Sequence, residues 1–95
     1  MRKIINDLVY DTANSYLINV YHDCFYNILS HYSIYEDLYL TRNNRFFIRK
    51  YESELIFLSY NTYEDLIALT TNEAYDYMKK HCPEKIERYF KIREA

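Results

Sequence analysis

Glycine and tryptophan are absent from this 95-residue chain, and proline occurs once, at position 83. Without glycine no phosphate-cradling loop can be drawn, and a turn that needs a left-handed residue must rely on asparagine or a similar side chain. Cysteine is scarce. Cys24 and Cys82 form no Cys-x-x-Cys pair and are too few for a small fold built on disulfides. No apolar run approaches the roughly 20 residues that span a bilayer, and Met1-Arg2-Lys3-Ile4-Ile5-Asn6-Asp7 reaches an acidic residue too soon for a signal peptide. An excess of positive charge is also missing. Twelve Lys and Arg stand against fourteen Asp and Glu, a formal net charge of -2, which argues against a general polyanion binder. These absences lead to the expectation of a cytoplasmic protein with reduced thiols and no membrane association.

Tyrosine is what the chain has in quantity. Thirteen tyrosines supply most of an aromatic content of 19%; their rings bury large areas while their hydroxyls keep the mean hydropathy low. The length suits a single domain over residues 1–95 with one modest core.

The patterning centres on Ile34 to Tyr51, where two runs rich in aliphatic and aromatic residues flank Asn43-Asn44. Asparagine tolerates the left-handed conformation of a hairpin turn, so a β-hairpin is expected. With Asn43 and Asn44 as a two-residue turn, Leu40 faces Phe47, Tyr39 faces Ile48, Leu38 faces Arg49 and Asp37 faces Lys50. Upstream, Ile4 to Tyr10 reads as a first strand, and Asp11-Thr12 as a turn or the cap of one helical turn through Asn14. Tyr16 to Tyr21 reads as a second strand, although its position also suits a helix that continues into the next segment. His22 to Tyr32 places Phe25, Ile28, Leu29 and Tyr32 at helical spacing, so strand and helix both remain open there. Downstream, Glu54 to Leu58 reads as a strand, Ser59 to Asp65 as a polar turn and Leu66 to Leu69 as a short strand. Thr70 with Glu73 makes a capping box, predicting a helix from Thr71 to about His81 with Ala74, Tyr77 and Met78 facing inward. Pro83 suits the start of a second helix, with Ile86, Tyr89 and Phe90 as its apolar stripe. The expected fold is α+β: a small antiparallel sheet of four or five strands built on the central hairpin, with two C-terminal helices on one face.

Charge is segregated along the chain. From Tyr51 to Met78 every charged residue is acidic, while Lys79, Lys80, Lys85, Arg88, Lys91 and Arg93 give the C-terminal region a basic bias. Two readings follow. The charges are solvated faces, or Glu36, Asp37, Glu52, Glu54, Glu64 and Asp65, with Tyr60 and Tyr63 among them, form an acidic surface that docks on a basic groove of another protein. A second candidate is the basic hairpin, Arg42, Arg45, Arg49 and Lys50, which beside Phe46 and Phe47 could grip a phosphate backbone and stack bases; the other use of Phe46 and Phe47 is packing in the core. His22, Cys24, His81 and Cys82 are metal-ligand types without metal-ligand spacing, and Cys24 and Cys82 are read as buried hydrophobes. Glu36-Asp37 and Glu64-Asp65 point to opposite faces if they lie on strands, so neither is an acid/base pair. No cofactor, metal or catalytic residue is expected. Uncovered strands leave a homodimer open.

Several short motifs occur together: Val9-Tyr10-Asp11-Thr12-Ala13, Leu38-Tyr39 leading through Arg42-Asn43-Asn44-Arg45 to Phe46-Phe47-Ile48, and Leu69-Thr70-Thr71-Asn72-Glu73-Ala74 before a closing Tyr89-Phe90. In this combination the chain resembles a family of small phage- and mobile-element-associated bacterial proteins. It departs from the family at Asn44, where a turn glycine is usual, at Tyr51 to Tyr60, where a glycine-rich segment is usual, and at Tyr77, where tryptophan is usual. The resemblance implies a Tyr-Asp-Thr start, a Leu-Tyr hairpin and a helix containing Glu-Ala, followed by a second short helix. It also implies a mobile-element setting, in which non-enzymatic inhibitors of host defence, including anti-CRISPR proteins, are common. The expected function is therefore inhibition of a bacterial defence effector, such as a CRISPR–Cas complex, with a nucleic-acid-binding regulator as the alternative.

Overall fold

A computed structural model describes residues 1–91. Strands β1 (Arg2–Ile5) and β2 (Leu8–Asp11) form a small hairpin, and β3 (Tyr16–Tyr26), β4 (Ser30–Leu40), β5 (Phe46–Ile56) and β6 (Ser59–Leu69) form a four-stranded antiparallel sheet in the order 3-4-5-6. Helix α1 (Thr71–His81) and the short helix α2 (Ile86–Tyr89), joined by a 3-10 turn over Pro83–Lys85, close the described chain. The α+β class, the four-stranded sheet and the two C-terminal helices are as expected.

Several sequence-based boundaries move. The run from Ile4 to Tyr10 is two strands, because Asn6 and Asp7 take positive φ of 51° and 63° and turn the chain between Ile5 and Leu8. His22 to Tyr32 is strand and turn rather than helix. There Asn27 Oδ1 accepts the backbone N–H groups of Leu29 and Ser30 at 2.9 and 3.0 Å, and an asparagine bonding its own backbone ahead stabilises a turn in place of a helix. Ser59 to Asp65 is strand, and the turn falls earlier, at Phe57-Leu58, between paired Ile56 and Ser59. Phe57 has φ 53°, a left-handed conformation that costs an ordinary residue about 1–2 kcal/mol.

The central hairpin is present but shifted by one residue from the expected register. Thr41 N–H donates to the Arg45 carbonyl at 2.8 Å, Asn44 N–H donates to the Thr41 carbonyl at 3.0 Å, and Arg45 N–H donates to Thr41 Oγ1 at 3.0 Å. With Asn44 left-handed at φ 61°, the loop has three residues, a β-turn followed by a left-handed position. Leu40 therefore pairs with Phe46, Tyr39 with Phe47, Leu38 with Ile48, Asp37 with Arg49 and Glu36 with Lys50.

This register sorts the sheet into two apolar faces. Leu38, Phe46 and Ile48 face α1 and α2, packing with Ile18, Ala74, Met78, Cys82 and Ile86. On the other face Phe47 and Leu66 pack with Tyr10 from the β1–β2 hairpin. Phe47 is fully buried, stacked on Tyr39 at 5.1 Å and met edge-on by Tyr10 at 5.4 Å. The capping box forms as expected: Glu73 N–H donates to Thr70 Oγ1 at 3.1 Å and Thr70 N–H to Glu73 Oε1 at 2.9 Å. That carboxylate contact with Thr70 holds the Glu73 pKa below its ordinary value.

An 11-residue strand runs about 36 Å at 3.3 Å per residue, whereas an 11-residue helix runs about 16 Å. The covering elements thus reach only about half the length of the sheet. The half nearest the 41–45 loop is covered, and the half ending at the turns Asn27–Leu29 and Phe57-Leu58 extends beyond it, which gives the molecule its elongated 51 × 36 × 18 Å envelope.

Two substitutions test this account. Phe47→Ala should destabilise by about 3–5 kcal/mol in chemical denaturation, since it empties the space between Tyr10 and Tyr39. Thr70→Ala should cost about 1 kcal/mol, the usual worth of an N-cap.

Candidate binding surface on the sheet overhang

Strand alternation decides which side chains share the uncovered half. On the helix side of the sheet stand Tyr21, Asp23 and Phe25 of β3, Tyr32, Ile34 and Glu36 of β4, Lys50, Glu52 and Glu54 of β5, and Tyr63 and Asp65 of β6, as the cross-strand partners require. Lys50 is the sheet's one cation on this side, against Asp23, Glu36, Glu52, Glu54 and Asp65. Its ammonium lies 3.1 Å from Glu52 Oε1. The hydrogen bond to Glu52, with Glu36 also nearby, holds the Lys50 pKa above its ordinary value despite partial burial. Partial burial, then Glu52, pushes the Tyr32 phenol up as well. Phe25 and Tyr32 stack at 6.3 Å. At the inner boundary Tyr77 of α1 donates to Glu36 Oε1 at 3.4 Å, and His81 packs against Tyr77 and Tyr21 at 4.3 and 4.5 Å. Burial there lowers the His81 pKa.

The opposite side of the overhang has different chemistry. Arg49 bridges two carboxylates, Glu64 at 3.1 Å and Asp37 at 3.3 Å, and lies 5.9 Å over the Tyr51 ring. Burial works against the Arg49 charge, but Glu64 and Asp37 outweigh it and the pKa rises. Beside this cluster His22 stacks flat on Tyr35 at 4.1 Å, and Tyr35 meets Tyr51 at 6.1 Å. Tyr60 belongs to this side too, next to Tyr51, whose phenol its hydrogen bond raises first, with burial adding to the rise.

Both edge strands carry the same device. Asp65 Oδ1 accepts Leu66 N–H at 2.8 Å and Oδ2 accepts the Tyr63 hydroxyl at 3.2 Å. On the other edge Asp23 Oδ1 accepts Cys24 N–H at 2.8 Å and Oδ2 accepts the Tyr21 hydroxyl at 3.1 Å. A Tyr-x-Asp triplet, Tyr21-His22-Asp23 or Tyr63-Glu64-Asp65, thus puts a carboxylate over the strand margin, where charge discourages another strand from adding. Lys3 Nζ closes the second site at 2.6 Å from Asp65 Oδ1.

The structure therefore divides the eight residues expected to bind a partner. Glu36, Glu52, Glu54, Tyr63 and Asp65 share the helix side; Asp37, Tyr60 and Glu64 lie on the other, where Arg49 neutralises the two carboxylates. Asp23, Tyr21 and Tyr32 join the acidic side unanticipated, because they fell in the stretch open to a helical reading. Their signal was the Tyr-x-Asp spacing repeated on β6. Glu36-Asp37 and Glu64-Asp65 do point to opposite faces.

The four basic hairpin residues do not gather. Arg42 and Arg45 sit in the 41–45 loop, while Arg49 and Lys50 lie on opposite faces and are engaged by carboxylates. Phe46 and Phe47 are both buried, which removes them as base-stacking platforms. From the C-terminal basic region, Lys85 Nζ donates to the Ile18 carbonyl at 2.9 Å and to Asn19 Oδ1 at 3.2 Å, a tie between the helices and β3; Arg93 lies outside the described residues. His22 and Cys24 face away from the helices while Cys82 is buried beneath them, so the four metal-ligand types are split by the sheet. Among the described residues no three His, Cys, Asp or Glu are placed to hold a metal ion. Cys24 corrects one expectation, being exposed where burial was foreseen; Cys82 is buried. Among the described residues no helix is long and apolar enough to cross a membrane.

Comparisons with protein-family models, with curated proteins and with solved structures find no match to this chain.

The edge geometry has a pH signature. The hydrogen bond from Lys3, then that from Leu66 N–H, lowers the Asp65 pKa, so the unfolded chain binds this proton more readily. The Asp65 contribution is complete above the unfolded carboxylate pKa of about 4 and is lost as pH falls through the lower folded value. Asp65→Asn should thus lower Tm at neutral pH, and the deficit should shrink as pH falls through the acidic range in which the Asp65 contribution is lost. A Tm deficit that stays the same as pH falls would contradict this.

Proposed function

We propose that the protein is a non-catalytic binding protein that docks its acidic, tyrosine-bearing overhang onto a basic surface of a bacterial defence effector, such as the nucleic-acid channel of a CRISPR–Cas complex. The observation that supports this reading is the gathering of Asp23, Glu36, Glu52 and Glu54 with Tyr21, Tyr32 and Tyr63 on one open side of the sheet, where Lys50 is the sheet's only cation. A channel built to receive phosphates presents arginines and lysines, and a carboxylate surface complements them. Tyrosine adds rigid contact area and a hydrogen-bonding tip at low entropic cost. Strands hold these groups in place, so little ordering is needed on binding.

The bacterial, mobile-element setting comes from the sequence resemblance, and it makes defence complexes the first partners to test. Inhibition would follow from occupation of the channel, with no chemical step. The separation of Arg42 and Arg45 from Arg49 and Lys50 leaves the nucleic-acid reading with less support.

The test is capture of partners by the tagged protein from bacterial lysate, with and without nuclease treatment. One defence complex should remain bound after nuclease treatment. The double substitution Glu52→Lys with Glu54→Lys should weaken its binding by about a hundredfold or more, while Glu64→Gln on the opposite side should leave it nearly unchanged. Capture that disappears with nuclease, or is insensitive to the double substitution, would overturn the proposal.

A further inference from the structure

The free end of the sheet is made by two turns held side by side. Phe57 N–H donates to the Leu29 carbonyl at 3.2 Å, tying the β5–β6 turn to the β3–β4 turn. Ile28 is 96% exposed, Leu58 100% and Phe57 71%. On the side away from the helices a groove of about 640 Å³ is lined by residues that include Cys24, Tyr26, Ile28, His31, Leu55 and Phe57. Neither residues 24–33 nor residues 55–63 contain a lysine, arginine, aspartate or glutamate.

We propose that this end of the sheet is a two-fold interface with a second copy of the same chain, in which Leu58 of each copy seats in the groove of the other, against the Ile28 that lines it. Three observations carry it. The projecting side chains and the groove lie on one patch, as an isologous interface requires of a surface that must fit itself. The area is sufficient: at about 150–250 Å² for an aromatic side chain and toward the lower end of that range for Ile and Leu, the exposed parts of Tyr26, Ile28, Leu29, Leu55, Phe57 and Leu58 come to on the order of 700 Å². That is about what each partner buries in a stable interface and above the largest patch usual on a monomer, about 300–600 Å². Charge is the third. A two-fold axis sets every residue near it against its own copy, so a charge there would repel itself; this patch has none, although carboxylates crowd the same strands a few residues away. A lipid surface suits the observations less well, because it leaves the groove unfilled and, among the described residues, finds no lysine or arginine in the turns to meet its phosphates.

The edge carboxylates direct association to the same place. Asp23 and Asp65 obstruct strand addition along β3 and β6, leaving the uncharged end as the open apolar surface. This inference is independent of the acidic face, since the groove lies on the other side of the sheet.

Sedimentation of the full chain over about 1–200 μM tests it, alongside Ile28→Asp and Leu58→Asp. Both positions are solvent-exposed, so circular dichroism, and Tm at the dilute end where the unsubstituted protein is itself monomeric, should match the unsubstituted protein. The unsubstituted chain should reach twice its 11.8 kDa mass, and each aspartate should raise the dimer dissociation constant by about a hundredfold or more. Cys24, exposed and in the groove, supplies a second readout: maleimide should label it more slowly in the concentrated unsubstituted protein than in either variant. Monomer mass at every concentration would overturn the proposal, and binding of that monomer to phosphatidylcholine vesicles would assign the surface to lipid instead. A dimer that both aspartates leave intact would also overturn it, placing the interface elsewhere.

Discussion

Thr41 and Arg45 close the loop between β4 and β5, and that closure decides which side of the sheet every residue of the two central strands occupies. Side chains alternate with period two, so a loop one residue longer or shorter would bring together different faces of the two strands. In the register that forms, Leu38 and Ile48 meet beneath α1, Tyr39 and Phe47 meet beneath the β1–β2 hairpin, and Asp37 and Glu36 lie opposite Arg49 and Lys50. Both cores and both ion-pair clusters follow from that one pairing. Asn44 makes it possible in a chain without glycine, because its left-handed φ of 61° completes the three-residue loop at little cost.

A second constraint is the mismatch between strand length and covering length. Four 11-residue strands make a sheet about twice as long as the elements packed on it. The uncovered half remains ordered through cross-strand pairs such as His22 on Tyr35 and Phe25 on Tyr32, which stabilise a sheet without a second layer. Tyrosine serves there because its ring packs laterally while its hydroxyl meets water or a neighbouring carboxylate. The proposed partner surface and the proposed self-association surface both belong to this overhang, one on the acidic side and one at the uncharged end.

The two sides of the overhang illustrate how position decides the effect of a charge. Arg49 stands between Asp37 and Glu64 and leaves that side close to neutral. Across the sheet, Lys50 lies against Glu52 with more carboxylates around it than it can balance, so that side keeps a negative field. Adjacent residues of one strand thus serve opposite ends: Arg49 quenches its side, and Lys50 leaves its side acidic.

Features that are local in cause were legible in the residues themselves. The capping box at Thr70 and Glu73, the helix from Thr71 to His81, the restart at Pro83 and the presence of a hairpin around Asn43-Asn44 each depend on a few neighbouring residues whose hydrogen bonds or backbone preferences act within one turn. Features that depend on distant partners were set by packing across the sheet. His22 to Tyr32 has apolar residues at helical spacing, yet it is strand and turn, because β4 pairs with β3 without a break from Asn19 to Tyr26 and Asn27 holds the turn at its end. Ser59 to Asp65 is polar enough for a loop, yet it pairs along β5. The grouping of Glu52 and Glu54 with Asp23, and the separation of Glu64 from them, required the register across four strands. A single residue of slip reverses such a grouping, and the packing of Leu38, Phe47 and Ile48 against their covering elements favours the same register that the 41–45 loop closes on.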